Sequence, residues 1–405
     1  MSFGPILSAL HRHRTAAALI VLEIAFTCAM VSNAFFLVSE RLNRMNRPSG
    51  VAESELLVLQ VTGFDKTSKA QAQTQEDLAV LSAIPGVREV ASSRQVPFGD
   101  SSWNTTVKLS QDPTQESRVN VSTYLGSPNL FETLGLKLAA GRDFTREEYV
   151  EEADALATPN TTRSLIITRA VAERLWPGQS ALGQILYMGN YGVRVIGVLE
   201  QLVRPDELSG PTHFELSVVL PVRPQLKPVD NYLIRTEPER RQEVLAAAAA
   251  AIERRPGRLV VRQNTLEELK NKYYRGDRAM ASLLVAVCAA LLIITALGIV
   301  GLASFWVQQR TRQIGIRRAL GATRGQIVRY FQLENFLLAT IGIALGMLLA
   351  YGINQLLMER YELARLPAQY LPVGALSLWL SGQLAVLGPA LRAASVPPAV
   401  ATRSV

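Results

Sequence analysis

Between Arg310 and Tyr330 the sequence reads RTRQIGIRRALGATRGQIVRY, with six arginines and no acidic residue. Guanidinium groups stay charged at any accessible pH, and their planar forks suit phosphates and carboxylates. Two chemistries are open to such a stretch: contact with anionic lipid headgroups, and docking onto a protein partner. Apolar residues separate the arginines (Ile314, Ile316, Leu320, Ile327 and Val328), which a merely solvated anchor does not need. Gly315, Gly321 and Gly325 divide the stretch into short pieces. The pattern predicts a short amphipathic helix on a membrane surface, presenting side chains to a partner, with Gly315 and Gly321 at tight bends.

Little else in the chain could do chemistry. Glu23 lies inside the apolar run from Ala16 to Val38. A carboxylate in a membrane span is costly and is a functional candidate by default. It is also about two turns from the end of the run, within reach of Arg14 or of headgroups. Glu334, at the start of another apolar run, reads as interfacial. The histidines (His11, His13 and His213) and the two cysteines, Cys28 and Cys288, form no metal-ligand spacing, so no metal site is expected. No nucleophile and base stand in a catalytic arrangement, so no catalytic site is expected. The sequons at Asn104, Asn120 and Asn160 are short patterns that chance readily supplies.

The 405 residues are 48% hydrophobic and 19% charged, and the two classes are segregated along the chain. That segregation marks a membrane protein rather than a soluble one with a large core. Much of the net charge of +8 lies beside apolar runs, where retention of Lys and Arg on the cytoplasmic face explains it. No nucleic-acid recognition motif accompanies it, which argues against nucleic-acid binding.

Four runs are long enough to span a hydrocarbon core: 16–38, 282–307, 331–357 and 373–391, the last interrupted by Gln383, Gly388 and Pro389. The first reads as an uncleaved anchor. The arginine loop (308–330) sets the orientation, with the N-terminus (1–15) and the tail (392–405) in the cytoplasm and the segment 39–265 outside, together with the loop 358–372. Gly298 in the second run, and Gly342 with Gly346 in the third as GxxxG, suit close helix packing, within the chain or across a dimer. The external segment reads as mixed α/β in two subdomains, the first from about 50–125 and 230–265, the second inserted at about 126–229. The acidic stretch Glu147 to Asp154 and the Thr/Asn run after it read as a mobile loop. Residues 266–281 are polar and helix-prone, and predict a stalk continuous with the second span.

These features together resemble the MacB/FtsX-like permease family of ABC transporter subunits, over nearly the whole chain. The most specific segment is RTRQIGIRRALGATRGQIVRYFQLENFLLATIGIALG (310–346). NLFETLGLKLAAGRDFT (129–145) and ITRAVAERLWPGQSALGQIL (167–186) resemble the family's external segments. The tail PALRAASVPPAV (389–400) is similar to its ending but lacks the usual acidic residue before proline. The resemblance implies an α-helical membrane protein with four spans and an external α/β domain of Porter and Sabre subdomains. It implies that Arg312, Ile314, Gly315, Ile316, Arg317, Arg318, Ala319, Leu320 and Gly321 couple the chain to a cytoplasmic ABC ATPase. ATP-driven closure of that ATPase would push the stalks and move the external domains, the membrane helices transmitting force rather than forming a tunnel.

The sequence contains no GxxxxGK[ST] phosphate loop and leaves no room for a nucleotide-binding domain. ATP and Mg are therefore expected on a separate ATPase chain, and this chain is expected to be a non-catalytic permease subunit of a bacterial inner membrane. The partners implied are that ATPase, a second copy or a related permease, membrane lipids, and a periplasmic adaptor with an outer-membrane channel. The resemblance also admits a non-transport role, the regulation of a cell-wall hydrolase or a sensor by the same force.

Overall fold

The computed structural model describes residues 14–63, 70–112, 118–157, 163–206, 213–224, 229–361 and 366–397. The expected cytoplasmic N-terminus with His11 and His13, the Thr/Asn run with Asn160, and the end of the tail fall outside these residues. Two compact units are present, Asn46–Arg275 and the combination of Met1–Met45 with Gly276–Val405.

The first helix, α1, spans Arg14–Met45 and belongs to the helical unit. The α/β unit then opens with β1 (Leu56–Thr62), α2 (Ala70–Ser82) and β2 (Val87–Ser93), and closes with β12 (Val229–Thr236), α6 (Arg241–Glu253) and β13 (Leu259–Thr265). Their antiparallel sheet has the order β13-β1-β12-β2, the two split βαβ halves of a ferredoxin-like fold. Period-2 alternation puts Leu57, Leu59 and Val61 on one face of β1, where they meet Leu81 of α2 and Val244, Ala248 and Ile252 of α6. Full burial of each such side chain contributes on the order of 1.5–3 kcal/mol. The turn Pro85-Gly86 ends the α2 connection, and Gly86 takes φ +97°, which a Cβ disfavours. Asp77, fully buried on α2, accepts from the Tyr232 hydroxyl at 2.9 Å and from Arg258 Nε at 2.9 Å, and is paired with Arg255.

Between β2 and β12 lies a second sheet. Its elements are β3 (Asn104–Lys108), β4 (Arg118–Leu125), α3 (Leu130–Leu134), β5 (Leu138–Gly141), β6 (Val150–Glu151), α4 (Glu152–Ala157), β7 (Ser164–Thr168), α5 (Arg169–Leu175), β8 (Ile185–Met188), β9 (Tyr191–Leu199), β10 (Ser217–Leu220) and β11 (Val222–Arg223). The order β5-β9-β7-β10-β4-β3-β8 is completed by a β8–β9 pairing, so six strands close on themselves and β5 extends β9. β6 and β11 pair separately. Val107, Val119, Val121, Leu186, Val193, Val195 and Val218 fill the interior, and Val171 and Leu175 of α5 pack onto it.

Two expectations change here. The inserted subdomain starts earlier than residue 126: β3 and β4, expected with the first subdomain, pair in the second sheet. Alternation reveals a strand but not its non-local partner, which register decides. The acidic stretch Glu147 to Asp154 is not a loose loop among the described residues. It forms the 3-10 turn Arg146–Glu148, β6 and the start of α4, and Glu152 is buried in an ion pair with Arg94.

The polar helix expected over 266–281 is two helices. α7 (Leu266–Tyr273) starts with a capping box between Thr265 and Glu268 and ends at Tyr274, whose φ −87° and ψ 14° are not helical. The buried Tyr274 ring packs near Phe98 and Tyr273. The helix then restarts as α8 (Arg275–Gln309).

The helical unit contains α1, α8, α9 (Thr311–Ala319), α10 (Arg324–Tyr361) and α11 (Leu371–Ala394). Four helices among the described residues are long and apolar enough to cross a membrane: α1, α8, α10, and α11 with the turn before it. α10 packs along α1 on one side and α11 on the other. α11 runs unbroken through Pro389, and Gln383 Nε2 donates to the Gln332 carbonyl at 3.4 Å, so its polar and helix-breaking residues are absorbed by packing. Ile24, Cys28, Ile299, Ala339, Ile343 and Leu378 form the centre of the bundle.

Candidate functional site

The arginine stretch folds into a helix whose two ends are written in the sequence. α8 stops at Gln309, and Arg310 (φ −102°, ψ 8°) begins the next turn. α9 is stopped by Gly321 at φ +99°: the Gly321 N–H donates to the Arg318 carbonyl at 3.1 Å, and the Ala322 N–H to the Arg317 carbonyl at 3.0 Å. This is a Schellman stop, which needs a residue without Cβ strain at that position. Two residues later a capping box opens α10. The Thr323 N–H donates to Gln326 Oε1 at 3.0 Å, and the Gln326 N–H to Thr323 Oγ1 at 3.3 Å. Gly321 therefore makes the bend it was expected to make. Gly315 does not, since it lies buried inside α9 with helical backbone.

Helical periodicity divides α9 into two faces. Thr311, Ile314, Gly315 and Arg318 recur at i, i+3, i+4 and i+7 and turn inward. Ile314 is buried against Val307, Ile327, Phe331 and the α11 alanines Ala390, Ala393 and Ala394. Arg318 is half-buried, and its Nη1 donates to the Val396 carbonyl at 2.7 Å. Arg312, Ile316, Arg317, Ala319 and Leu320 turn outward. Leu320 is 84% exposed and Ile316 47%. The Arg317 guanidinium lies 5.0 Å from the centre of the Tyr330 ring, a contact that orients it without neutralising it. The expected docking set thus divides: Ile314 and Gly315 serve the chain's own packing, Arg318 ties down the start of the tail, and the rest face away from the bundle. The outward face carries two cations and two large apolar side chains with no acid.

Arg310 is not part of that face. Its Nη1 lies 3.0 Å from each carboxylate oxygen of Glu334, which is 1% exposed, and its guanidinium lies 5.6 Å from the Trp306 ring centre. Glu334, read as interfacial, is instead a buried counter-ion joining the end of α8 to α10. The sequence signal was present as a lone carboxylate in the first turn of an apolar run, but its partner lies before another helix.

The glycines sit where helices touch most closely. A Cβ on Gly346 would come within 2.5 Å of Cys28 Cβ and 2.6 Å of the Ala25 carbonyl oxygen; one on Gly342 would come within 2.8 Å of Ile24 Cγ2. The GxxxG face of α10 is thus turned onto α1 of the same chain. Gly298 of α8 lies under Glu23, where a Cβ would approach Oε2 to 2.8 Å. Glu23 is half-buried against α8, and four residues further along α1 the Thr27 and Thr295 hydroxyls meet at 2.9 Å. Among the described residues no group of three or more His, Cys, Asp or Glu could hold a metal ion.

Comparison with known proteins gives two family matches that together cover most of the chain. The MacB-like periplasmic core domain matches residues 17–254, and the FtsX-like permease C-terminal domain residues 285–398. A macrolide export ATP-binding/permease protein MacB from Chromobacterium violaceum is 25% identical over 343 residues, 79% of this chain and 48% of that protein. An uncharacterized ABC transporter permease, YknZ of Bacillus subtilis, is 25% identical over 293 residues, 69% of this chain and 66% of that protein. The chain thus spans about half the length of the first of these relatives and 66% of the second. A solved periplasmic region of MacB from Actinobacillus actinomycetemcomitans is similar at 11% identity and a TM-score of 0.32, covering 57% of this chain and 97% of that one. The two family matches flank the turn between α7 and α8 and take in the arginine helix, and the chain belongs to the MacB/FtsX-like family of ABC transporter permeases.

Proposed function

We propose that this chain is the membrane subunit of an inner-membrane ABC transporter of the mechanotransmission type. In this reading a separate cytoplasmic ATPase, holding ATP and Mg, docks on the outward face of α9. Its closure moves α8 and α10, and with them the α/β unit, which lies in the periplasm. Both chain ends lie in the cytoplasm. A second copy or a related permease completes the membrane core, and a periplasmic adaptor with an outer-membrane channel carries cargo onward. Cargo is exported or extracted outside the membrane, and the helices need not form a tunnel.

The observation that supports this best is the outward face of α9. Arg312, Ile316, Arg317 and Leu320 are exposed between two spans, held by a glycine stop at one end and a buried ion pair at the other. Leu320, 84% exposed beside Ile316 on a face with two arginines, suits an apolar groove on a partner. The export names of the MacB relatives favour transport over regulation of a cell-wall hydrolase.

The test is a mild-detergent pull-down of the tagged chain from its native cells with mass spectrometry of its partners, followed by ATPase assay. An ABC ATPase should co-purify, and Arg317→Glu with Leu320→Glu should abolish that association while membrane insertion stays intact. An intact, inserted chain that brings down no ATPase would sink the reading; one that brings down an ATPase with a wall hydrolase would move it to regulation.

A further inference from the structure

The closed sheet of the α/β unit is filled at one end and open at the other. Along β3, β4 and β9 the inward positions run Val107, Val119, Val121, Val195 and Val193, then continue to Thr105, Thr123, Leu125 and Tyr191. The side chains of the second set do not meet. They leave a cavity of about 170 Å³ at the mouth of the closed sheet, walled by Trp103, Thr123, Leu125, Met188, Tyr191 and Leu220, with Glu152 of α4 at its edge. Mouths of closed sheets are common places for small-molecule sites.

Three features make this more than a packing defect. First, Thr123 is 2% exposed and lines the cavity, yet its Oγ1 has no hydrogen-bond partner among the described residues. A buried hydroxyl left unpaired is costly, and a ligand that reaches it on rotation of the Thr123 side chain toward the cavity recovers that cost. Second, Trp103 is held in place although it is 39% exposed. Its backbone N–H donates to Gln95 Oε1 at 2.6 Å, its backbone carbonyl accepts from the Thr123 N–H at 2.8 Å, and the Arg94 guanidinium lies 4.7 Å from its ring centre. An aromatic wall fixed in advance loses little freedom when a ligand stacks on it. Third, the carboxylate at the edge is already neutralised, because Glu152 is paired with Arg94. The cavity therefore offers two aromatic rings, an apolar floor and one buried, unpaired hydroxyl, that of Thr123, with no net charge.

We propose that this cavity is a binding site for a compact, neutral aromatic molecule carrying one hydrogen-bonding group, such as a phenol. A cavity of about 150 Å³ is known to hold one benzene ring, so the size admits a single ring with a small substituent. The site is independent of the proposed coupling through α9.

The full chain, labelled with 5-fluorotryptophan in detergent micelles, tests this by fluorine NMR. The Trp103 resonance is assigned by its loss in Trp103→Phe, and phenol and toluene are the probes. Phenol should shift the Trp103 resonance saturably and leave those of Trp176, Trp306 and Trp379 unmoved. It should bind more tightly than toluene. Thr123→Val, which keeps the shape and removes the hydroxyl, should weaken phenol about five- to tenfold and erase its advantage over toluene. Leu220→Phe, which fills the floor, should abolish the shift. The proposal is overturned by a shift of all four tryptophans together, which reports partition into the micelle, by no saturable shift at Trp103, or by a phenol preference that survives in Thr123→Val.

Discussion

The two carboxylate oxygens of Glu334 both lie 3.0 Å from Nη1 of Arg310, so one cation at the end of α8 is clamped by one anion inside α10. Removing one partner strands the other, at a cost of about 3–5 kcal/mol for a buried pair, whereas replacing both is often neutral. Glu334→Ala should therefore lower the thermal unfolding temperature in detergent sharply, and the double change Glu334→Ala with Arg310→Leu should recover most of the loss. Equal loss in the double variant would show that the pair does not act as a unit.

The contact of α10 with α1 leaves no room for a methyl group at Gly346, where the nearest atoms to a Cβ are the α1 backbone and Cys28 Cβ rather than a flexible tip. Gly346→Ala should separate the helices and destabilise the bundle. Gly301→Ala, with nothing within 4 Å, should be neutral or gain up to about 1 kcal/mol of helix propensity. Thermal unfolding of the two variants side by side checks this, and equal behaviour would contradict the close contact.

Asp77 is shared by Tyr232, Arg258 and Arg255 inside the ferredoxin-like subdomain. Asp77→Asn keeps its shape but removes the charge that Asp77 sets against the buried Arg258. It should cost about 3–5 kcal/mol, read as increased proteolysis of the α/β unit at a temperature where the native unit resists. Glu76→Gln, next in sequence but largely exposed, should have little effect.

Glu148 is pulled from its usual range to about 2, first by the two hydrogen bonds from Arg142 and, against some desolvation, by the Thr145 N–H. A depressed folded-state value means stability present above the unfolded value of 4.5 and lost as pH falls through about 2. Arg142→Leu should return the carboxyl toward 4.5 and flatten the stability profile between those limits. Arg142 is exposed and Glu148 partly so, and high salt should blunt the difference. A profile unchanged by the substitution would refute the assignment.

How far the sequence reached depended on whether a feature was local. The ends of α9 and the start of α10 were legible because Gly321, Thr323 and Gln326 act on their own turns. The four apolar helices were legible from length alone. The sheet boundary was not, because nothing near Thr105 or Val121 records that their strands pair with β8 and β10. The division of the α9 residues was half legible: period 3.6 separates Ile314 from Ile316, but which of them faces the bundle depends on Phe331 and Ala393, which belong to other helices. Glu334 and Thr123 were invisible as a pair member and a cavity wall, since each acquires its meaning from distant residues.

Ser93 and Asn231 face each other across the β2–β12 ladder, and the entire closed sheet is threaded between them. Topologically that sheet is one oversized hairpin loop, and loop-closure entropy rises only with the logarithm of loop length. Loop length therefore costs the ferredoxin-like host little at this point, and the tie between host and insert is made by local contacts instead: the Ser127 N–H donates to the Ser92 carbonyl at 3.0 Å, the Ala52 N–H to the Leu134 carbonyl at 2.9 Å, and Arg235 Nη1 to the Glu132 carbonyl at 2.8 Å. Replacing the insert by a short Asn-Gly turn would keep the β2–β12 pairing but strip the host sheet of the α3 contacts. The junction after Ser93 is thus a point where the chain leaves one sheet, builds another and returns in register, at an entropic cost that hardly depends on the size of what is built.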